Sequence, residues 1–148
     1  MRGTKKLKLT TRGRYAVMAM TELAQRGTKD PVPLVEIANS GNISLSYLEQ
    51  LFAGLRKNGL VKSYRGPGGG YVLARPATDI KVAEILESAE DCAPAKRNAR
   101  DEGDITGNRQ TVALWDHIGE VLYVNLRTIS LDDVLSGGLP SPANKNSQ

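Results

Sequence analysis

Cysteine occurs once in the chain, at Cys92, and histidine once, at His117. A single thiol excludes an intramolecular disulfide, and one cysteine with one histidine cannot assemble a Cys-x-x-Cys pair or a conventional zinc site. Aromatic residues are scarce at 5%, with one Phe and one Trp. No apolar run approaches the roughly 18 uninterrupted residues that a bilayer span requires, so no membrane partner is expected. The basic start MRGTKKLKLTTRGR leads into YAVMAMTELAQRG, which Thr21 and Glu22 interrupt and which has no small-residue cleavage site. That excludes a secretory signal and points to the cytoplasm. A Cys92–His117 nucleophilic dyad has no signature around either residue, and the chain is read as a non-enzyme.

What is present is a charge asymmetry. Residues 1–75 hold 13 Lys or Arg against 4 Asp or Glu, a balance of +9, whereas residues 76–148 hold 7 against 12, a balance of −5. A basic half joined to an acidic one predicts that the first half meets a polyanion. Double-stranded DNA is the leading candidate, because its phosphates reward many moderate cationic contacts through counterion release.

Hydrophobic spacing marks the elements. Tyr15, Met18, Ala19, Leu23 and Ala24 share one helical face, Thr10 or Thr11 suits its start and Gly27 its end. Pro31 and Pro33 make a turn before a short second helix over 34–39. After Ser40-Gly41-Asn42, ISLSYLEQLFAGLRKNG places Leu45, Leu48, Leu51, Phe52 and Leu55 on one face. Its cap is either Ser44 or Ser46, the latter in capping-box spacing with Glu49. LVKSY and GYVLA are β-prone runs joined by Arg65–Gly70 as a hairpin. Helix, helix, turn, helix, hairpin is the order of a winged helix-turn-helix. Asp79 is expected to cap a fourth helix carrying Val82, Ile85, Leu86 and Ala89. Residues 90–108 read as a loop, and TVALWDHIGEVLYVNLRTI as a long helix. A short helix starting at Ser130 and a frayed tail follow. The fold class is therefore mainly α with a small β-hairpin: a winged helix-turn-helix followed by a long dimerisation helix. Its expected divisions are a DNA-binding domain over 1–76, a linking helix over 77–91, a sensor loop over 92–110, dimerisation and terminal helices over 111–136, and a disordered tail over 137–148.

The glycine-rich SYRGPGGGYVL fails as a phosphate loop, since Gly70 is followed by Tyr71 where Lys and Ser or Thr are needed. The dinucleotide fingerprint fails as well, with Tyr71 in place of its third glycine. A plain surface hairpin remains the alternative to a wing that enters a DNA groove with Arg65, Gly66 and Gly68. On the third helix, Glu49 suits cytosine and Gln50 adenine, while the hydroxyls of Ser44, Ser46 and Tyr47 suit phosphates or bases. Arg56 and Lys57 are either DNA-backbone contacts or solvated residues, and Lys5, Lys6, Lys8 and Arg12 extend the backbone-contact set. The broad apolar side of the long helix, including Trp115, Ile118, Val121, Leu122 and Ile129, predicts a homodimer on a two-fold site. A winged-helix module that binds protein rather than specific DNA is the competing reading.

KLTTRGRYAVMAM, PVPLVEIANSGNISLSYLEQLFAGLRKNGLV and RGPGGGY resemble the bacterial iron-sulfur cluster regulators of the IscR-like family, over about Lys8 to Leu135. The resemblance implies a dimeric winged-helix transcription regulator, a repressor, of iron or iron-sulfur metabolism genes. It also implies that Ser44, Ser46, Tyr47, Glu49 and Gln50 lie on the recognition helix, and that Arg65 with Gly66 enters the minor groove. Cluster-binding members carry three cysteines in the loop and a histidine just before Ala-Leu-Trp, together holding a 2Fe-2S cluster. Here Val112 precedes Ala113-Leu114-Trp115, the loop holds Asn98, Asp104 and Arg109, and Cys92 lies earlier than the first expected cysteine. Three alternatives stay open: DNA binding without a cluster, an unconventional cluster held through Cys92 with oxygen ligands or His117, and direct oxidation sensing by Cys92.

Overall fold

The computed structural model describes residues 6–26, 30–91 and 108–139. Its elements follow in the order α1 (Thr11–Arg26), α2 (Leu34–Gly41), α3 (Leu45–Lys57), β1 (Val61–Tyr64), β2 (Gly70–Leu73), a 3-10 turn (Ala77–Asp79), α4 (Val82–Asp91), α5 (Arg109–Leu126) and α6 (Leu131–Ser136). This is the mainly helical winged helix-turn-helix with a long C-terminal helix that the residue pattern predicts. Most of the expected sensor loop over 92–110, with Cys92, and most of the expected tail over 137–148 lie outside the described residues.

Local chemistry accounts for the boundaries. The Thr10 hydroxyl oxygen accepts from the Gly13 N–H at 3.0 Å and caps α1. Pro33 precedes α2, and Asn42 ends it in the left-handed region at φ 57°, where a short amide side chain is tolerated. Ser44 caps α3, accepting from the Tyr47 N–H at 3.1 Å, so the expected pairing of Ser46 with Glu49 is not the device used. Ser130 and Asp133 form a reciprocal capping box at α6.

Several boundaries differ from the sequence reading. Asp79 belongs to the 3-10 turn rather than capping α4. Helix α4 ends at Asp91 and so takes in Glu90, the residue at which the composition changes from apolar to polar. Asn108 caps α5 by accepting from the Thr111 N–H at 3.0 Å, which carries that helix back to Arg109. An apolar pattern misses these extensions because polar residues build them.

The main core gathers Ala16, Met20 and Leu23 of α1, Ile37 of α2, Leu48, Leu51, Phe52 and Leu55 of α3, and Ile85 and Ala89 of α4. Phe52, Met20 and the leucines of α3 inside it are fully buried. Each contributes about 1.5–3 kcal/mol relative to exposure. Leu45, expected on the same face, is 40% exposed because it sits at the first helical position, beyond the edge of the core. A second cluster, Leu7, Val82, Ala83, Leu86 and Ile129, joins the N-terminal segment and α4 to the chain after α5, with Leu122, Tyr123 and Leu126 packed on it.

Strands β1 and β2 pair antiparallel, from Val61 opposite Leu73 to Tyr64 opposite Gly70. Val32 adds a third rung, exchanging two 2.9 Å N–H to carbonyl bonds with Tyr71. Gly70 allows this approach: its φ is 152°, and a Cβ there would collide with the Val32 backbone. Gly68 also has positive φ, 78°, but open space around it. Gly70→Ala should therefore destabilise the protein by more than the roughly 1–3 kcal/mol of backbone strain that Gly68→Ala introduces, as read from urea unfolding midpoints. Equal losses in the two variants would show that the Val32 contact does not constrain the hairpin.

Candidate nucleic-acid interface

The core determines which side of α3 faces out. With Leu48, Leu51, Phe52 and Leu55 turned inward, the 3.6-residue period leaves Ser46, Glu49, Gln50, Ala53, Arg56 and Lys57 exposed. Tyr47 is half-buried, its ring meeting Tyr15 of α1 edge-on at 5.7 Å. Ser44 is exposed, and its oxygen is committed to the cap while its hydroxyl proton can still be donated. Ser44, Ser46, Tyr47, Glu49 and Gln50 thus gather at the N-terminal half of one helix.

The hairpin is docked beside that helix. Phe52 and Tyr71 pack with ring centroids 4.9 Å apart, a contact worth about 0.5–1.5 kcal/mol beyond its buried area. Arg56 of α3 donates to the Ser63 hydroxyl of β1 at 3.5 Å. Arg65, Gly66 and Gly68 are exposed at the tip, where the Gly69 N–H donates to the Gly66 carbonyl at 2.8 Å. The glycines serve the hairpin's own closure and docking, a role that the expectation of groove approach did not include.

The other candidate cations are arranged unequally. Lys8 and Lys57 are exposed. Lys6 is 3.4 Å from Asp116, a surface pair in which both side chains are about half exposed and which contributes little to stability. Arg12 is held by Glu90 at 2.8 Å and has only 20% side-chain exposure. Lys5 lies outside the described residues. Arg14 and Lys62, which the sequence reading passed over, are exposed on α1 and β1. Their signal was available in the sequence as basic residues adjoining motif positions within the +9 half.

Helix α5 presents a different surface. Among its 18 residues Gly119 alone is buried, beneath Leu7, whose N–H donates to the Gly119 carbonyl at 3.0 Å. Trp115, Ile118 and Val121 are 49%, 39% and 51% exposed, and Leu114 and Val124 extend the strip at 45% and 57%. An apolar groove of about 620 Å³ adjoins it, walled by Leu7, Leu9, Trp115, Ile118 and Leu122. Leu122 is half-buried against its own subunit. Ile129, expected on the same free face, is 7% exposed inside the second cluster, because α5 ends at Leu126 and the chain turns inward there. Val124, one turn beyond Val121, falls outside the expected stripe, which runs from Val121 and Leu122 to Ile129.

His117 is exposed on α5. Among the described residues no three of His, Cys, Asp and Glu come together as a metal site. One thiol per chain does not fit a conventional cluster, which takes four protein ligands and chiefly thiolates.

A helix-turn-helix with an outward polar face on its second helix and a docked hairpin defines the winged-helix DNA-binding transcription regulators. The chain belongs to the Rrf2 family of iron-dependent transcriptional regulators, whose model matches residues 9–137. It is 48% identical over 130 residues to the HTH-type transcriptional regulator IscR of Xenorhabdus nematophila, covering 87% of this chain and 79% of that protein. It is 43% identical over 144 residues to IscR of Cereibacter sphaeroides, covering 93% of each. Among solved structures, T. potens IscR superposes with a TM-score of 0.66 at 40% identity, covering 89% of this chain and 88% of that one. CymR, the global cysteine regulator of B. subtilis, superposes at 0.67 and 36% identity, covering 88% and 98%. The protein is a DNA-binding transcription regulator, and its relatives are named as regulators rather than enzymes. Among the described residues no helix is long and apolar enough to cross a membrane.

The two serines at the start of α3 can be told apart. Ser44→Ala should lower stability by about 1 kcal/mol through loss of the cap, and Ser46→Ala should leave it within about 0.5 kcal/mol, both measured by chemical denaturation.

Proposed function

We propose that the protein represses iron or iron-sulfur metabolism genes as a cytoplasmic homodimer on a two-fold operator. Helix α3 lies in the major groove, with Glu49 and Gln50 at base edges and Ser44, Ser46 and Tyr47 at bases or phosphates. The hairpin reaches the minor groove through Arg65, with Gly66 and Gly68 at its tip. Lys5, Lys6, Lys8, Arg14, Arg56, Lys57 and Lys62 supply phosphate contacts. The observation that carries this reading is the exposed polar face of α3 beside a docked hairpin, inside the half of the chain with balance +9. The expected division into DNA-binding, linking, sensor and dimerisation segments follows the same reading.

The apolar strip of α5 supports the dimer. Six large apolar side chains between 39% and 57% exposed in one helix, Val112 among them, beside an apolar groove, form a self-complementary surface for a second copy. Trp115, Ile118 and Val121, with Leu114 and Val124, form that seam. The resulting two-fold places two copies of α3 on one face of DNA, as a palindromic site requires.

The family's iron dependence suggests an iron- or redox-responsive input. With one thiolate per chain, Cys92 is the residue for it, either in a cluster completed by oxygen or histidine ligands, His117 included, or as a thiol that is itself oxidised. Iron and sulfide content after anaerobic purification distinguishes these routes. No step of DNA binding is assigned to a cluster.

Selection from random duplex DNA should yield a two-fold site. Glu49→Ala should then change discrimination at one base position by about 1–3 kcal/mol, whereas removing Lys6 and Lys8 should weaken all sequences alike and flatten the salt dependence. Uniform effects from Glu49→Ala would remove it from base reading. Val121→Asp with Val124→Asp should give a folded monomer in sedimentation with strongly reduced operator affinity; an unchanged dimer would place the interface elsewhere.

A further inference from the structure

The last two residues of α4 hold both ends of the DNA-reading unit. Glu90 Oε1 accepts from Arg12 Nη2 at 2.8 Å, and its Oε2 accepts from the Thr10 hydroxyl at 3.1 Å. Thr10 is the residue that caps α1. One residue further, Asp91 Oδ2 accepts from Asn58 Nδ2 at 3.0 Å, while the same amide nitrogen donates to the Gly54 carbonyl at 2.8 Å and closes the end of α3. The start of α1 and the end of α3 are therefore tied to consecutive residues of one helix.

Core packing leaves a geometric freedom that these bonds remove. Apolar burial is non-directional, so the inward leucines and Phe52 of α3 determine which face is buried more strongly than the angle at which the helix lies. Hydrogen bonds are directional, and those to carboxylates are short and comparatively strong. Base reading requires placement within a fraction of an ångström, which an end-clamp supplies.

Charge separates this role from direct binding. Glu90 and Asp91 are exposed anions attached to the basic DNA-binding half, and their charge opposes attraction to phosphates. Any favourable effect of theirs on DNA recognition must then be geometric.

We propose that Glu90 and Asp91 are positioning residues for operator recognition: they set the angle of α3 against α1 and so the discrimination between operator and other DNA. The proposal rests on α3 as the reading helix. The test uses the full chain, the site selected by the wild type from random duplex, and a scrambled duplex of equal length. Glu90→Ala combined with Asp91→Ala should lower operator affinity roughly tenfold while leaving scrambled-duplex affinity unchanged or raised, with a thermal midpoint near that of the wild type. Glu90→Gln with Asp91→Asn removes the same two charges but keeps acceptor oxygens, and should restore much of the selectivity.

Operator and scrambled affinities rising together in the alanine variant would reduce both residues to an electrostatic effect and overturn the proposal. Affinities falling together with the thermal midpoint would reduce them to a structural role and overturn it too. If these variants keep full selectivity while Glu49→Ala alters base preference, the clamp fails and the reading of α3 stands. If the wild type selects no site, or Glu49→Ala leaves selection unchanged, the reading of α3 fails and the clamp with it.

Discussion

Burial of one face of α3 is the constraint on which the rest of the molecule depends. Leu48, Leu51, Phe52 and Leu55 have no exposed surface, and together they represent several kcal/mol of apolar transfer. Rotating the helix to bury Glu49 or Gln50 instead would expose those four and desolvate polar groups that have no partners inside. The polar face is therefore outward by necessity, and the surface proposed to read DNA is the remainder left by core formation.

Phe52 extends that constraint to the hairpin. Its contact with Tyr71, and the bonds between Tyr71 and Val32, make one continuous path from the segment before α2, through β2, to α3. The hairpin tip is exposed while its base is fixed, the arrangement expected of an element that reaches a partner without shifting against its own helix. Gly70 makes the path possible because a side chain would occupy the space of the Val32 backbone.

Helix α5 follows the opposite rule. It is anchored through Gly119, under Leu7, and through Leu122 and Tyr123 on the second cluster, and most of its apolar surface stays uncovered. The described residues leave that surface uncovered. A helix of this composition reaches its lowest free energy when another surface covers it, and the proposed dimer would supply that cover.

The element order and the outward residues of α3 were legible in the sequence because the period of Leu48, Leu51, Phe52 and Leu55 identifies the buried side without reference to any neighbour. So were the hairpin strands, from their Val, Leu and Tyr content between turn residues. Choices between equivalent local chemistries were not legible: Ser44 against Ser46 as the cap, Asp79 in a 3-10 turn rather than at the start of α4, and the start of α5 at Arg109 under the Asn108 cap. Nor was the inward turn at Ile129, whose spacing continues the α5 stripe although the helix stops at Leu126. Local pattern determined fold class, charge division and the composition of the outward face of α3, since those depend on near neighbours and total charge. Only tertiary structure decided that Arg12 meets Glu90, that Asn58 meets Asp91, and that Gly70 lies against Val32, because each contact joins residues far apart in the chain whose meeting no local period encodes.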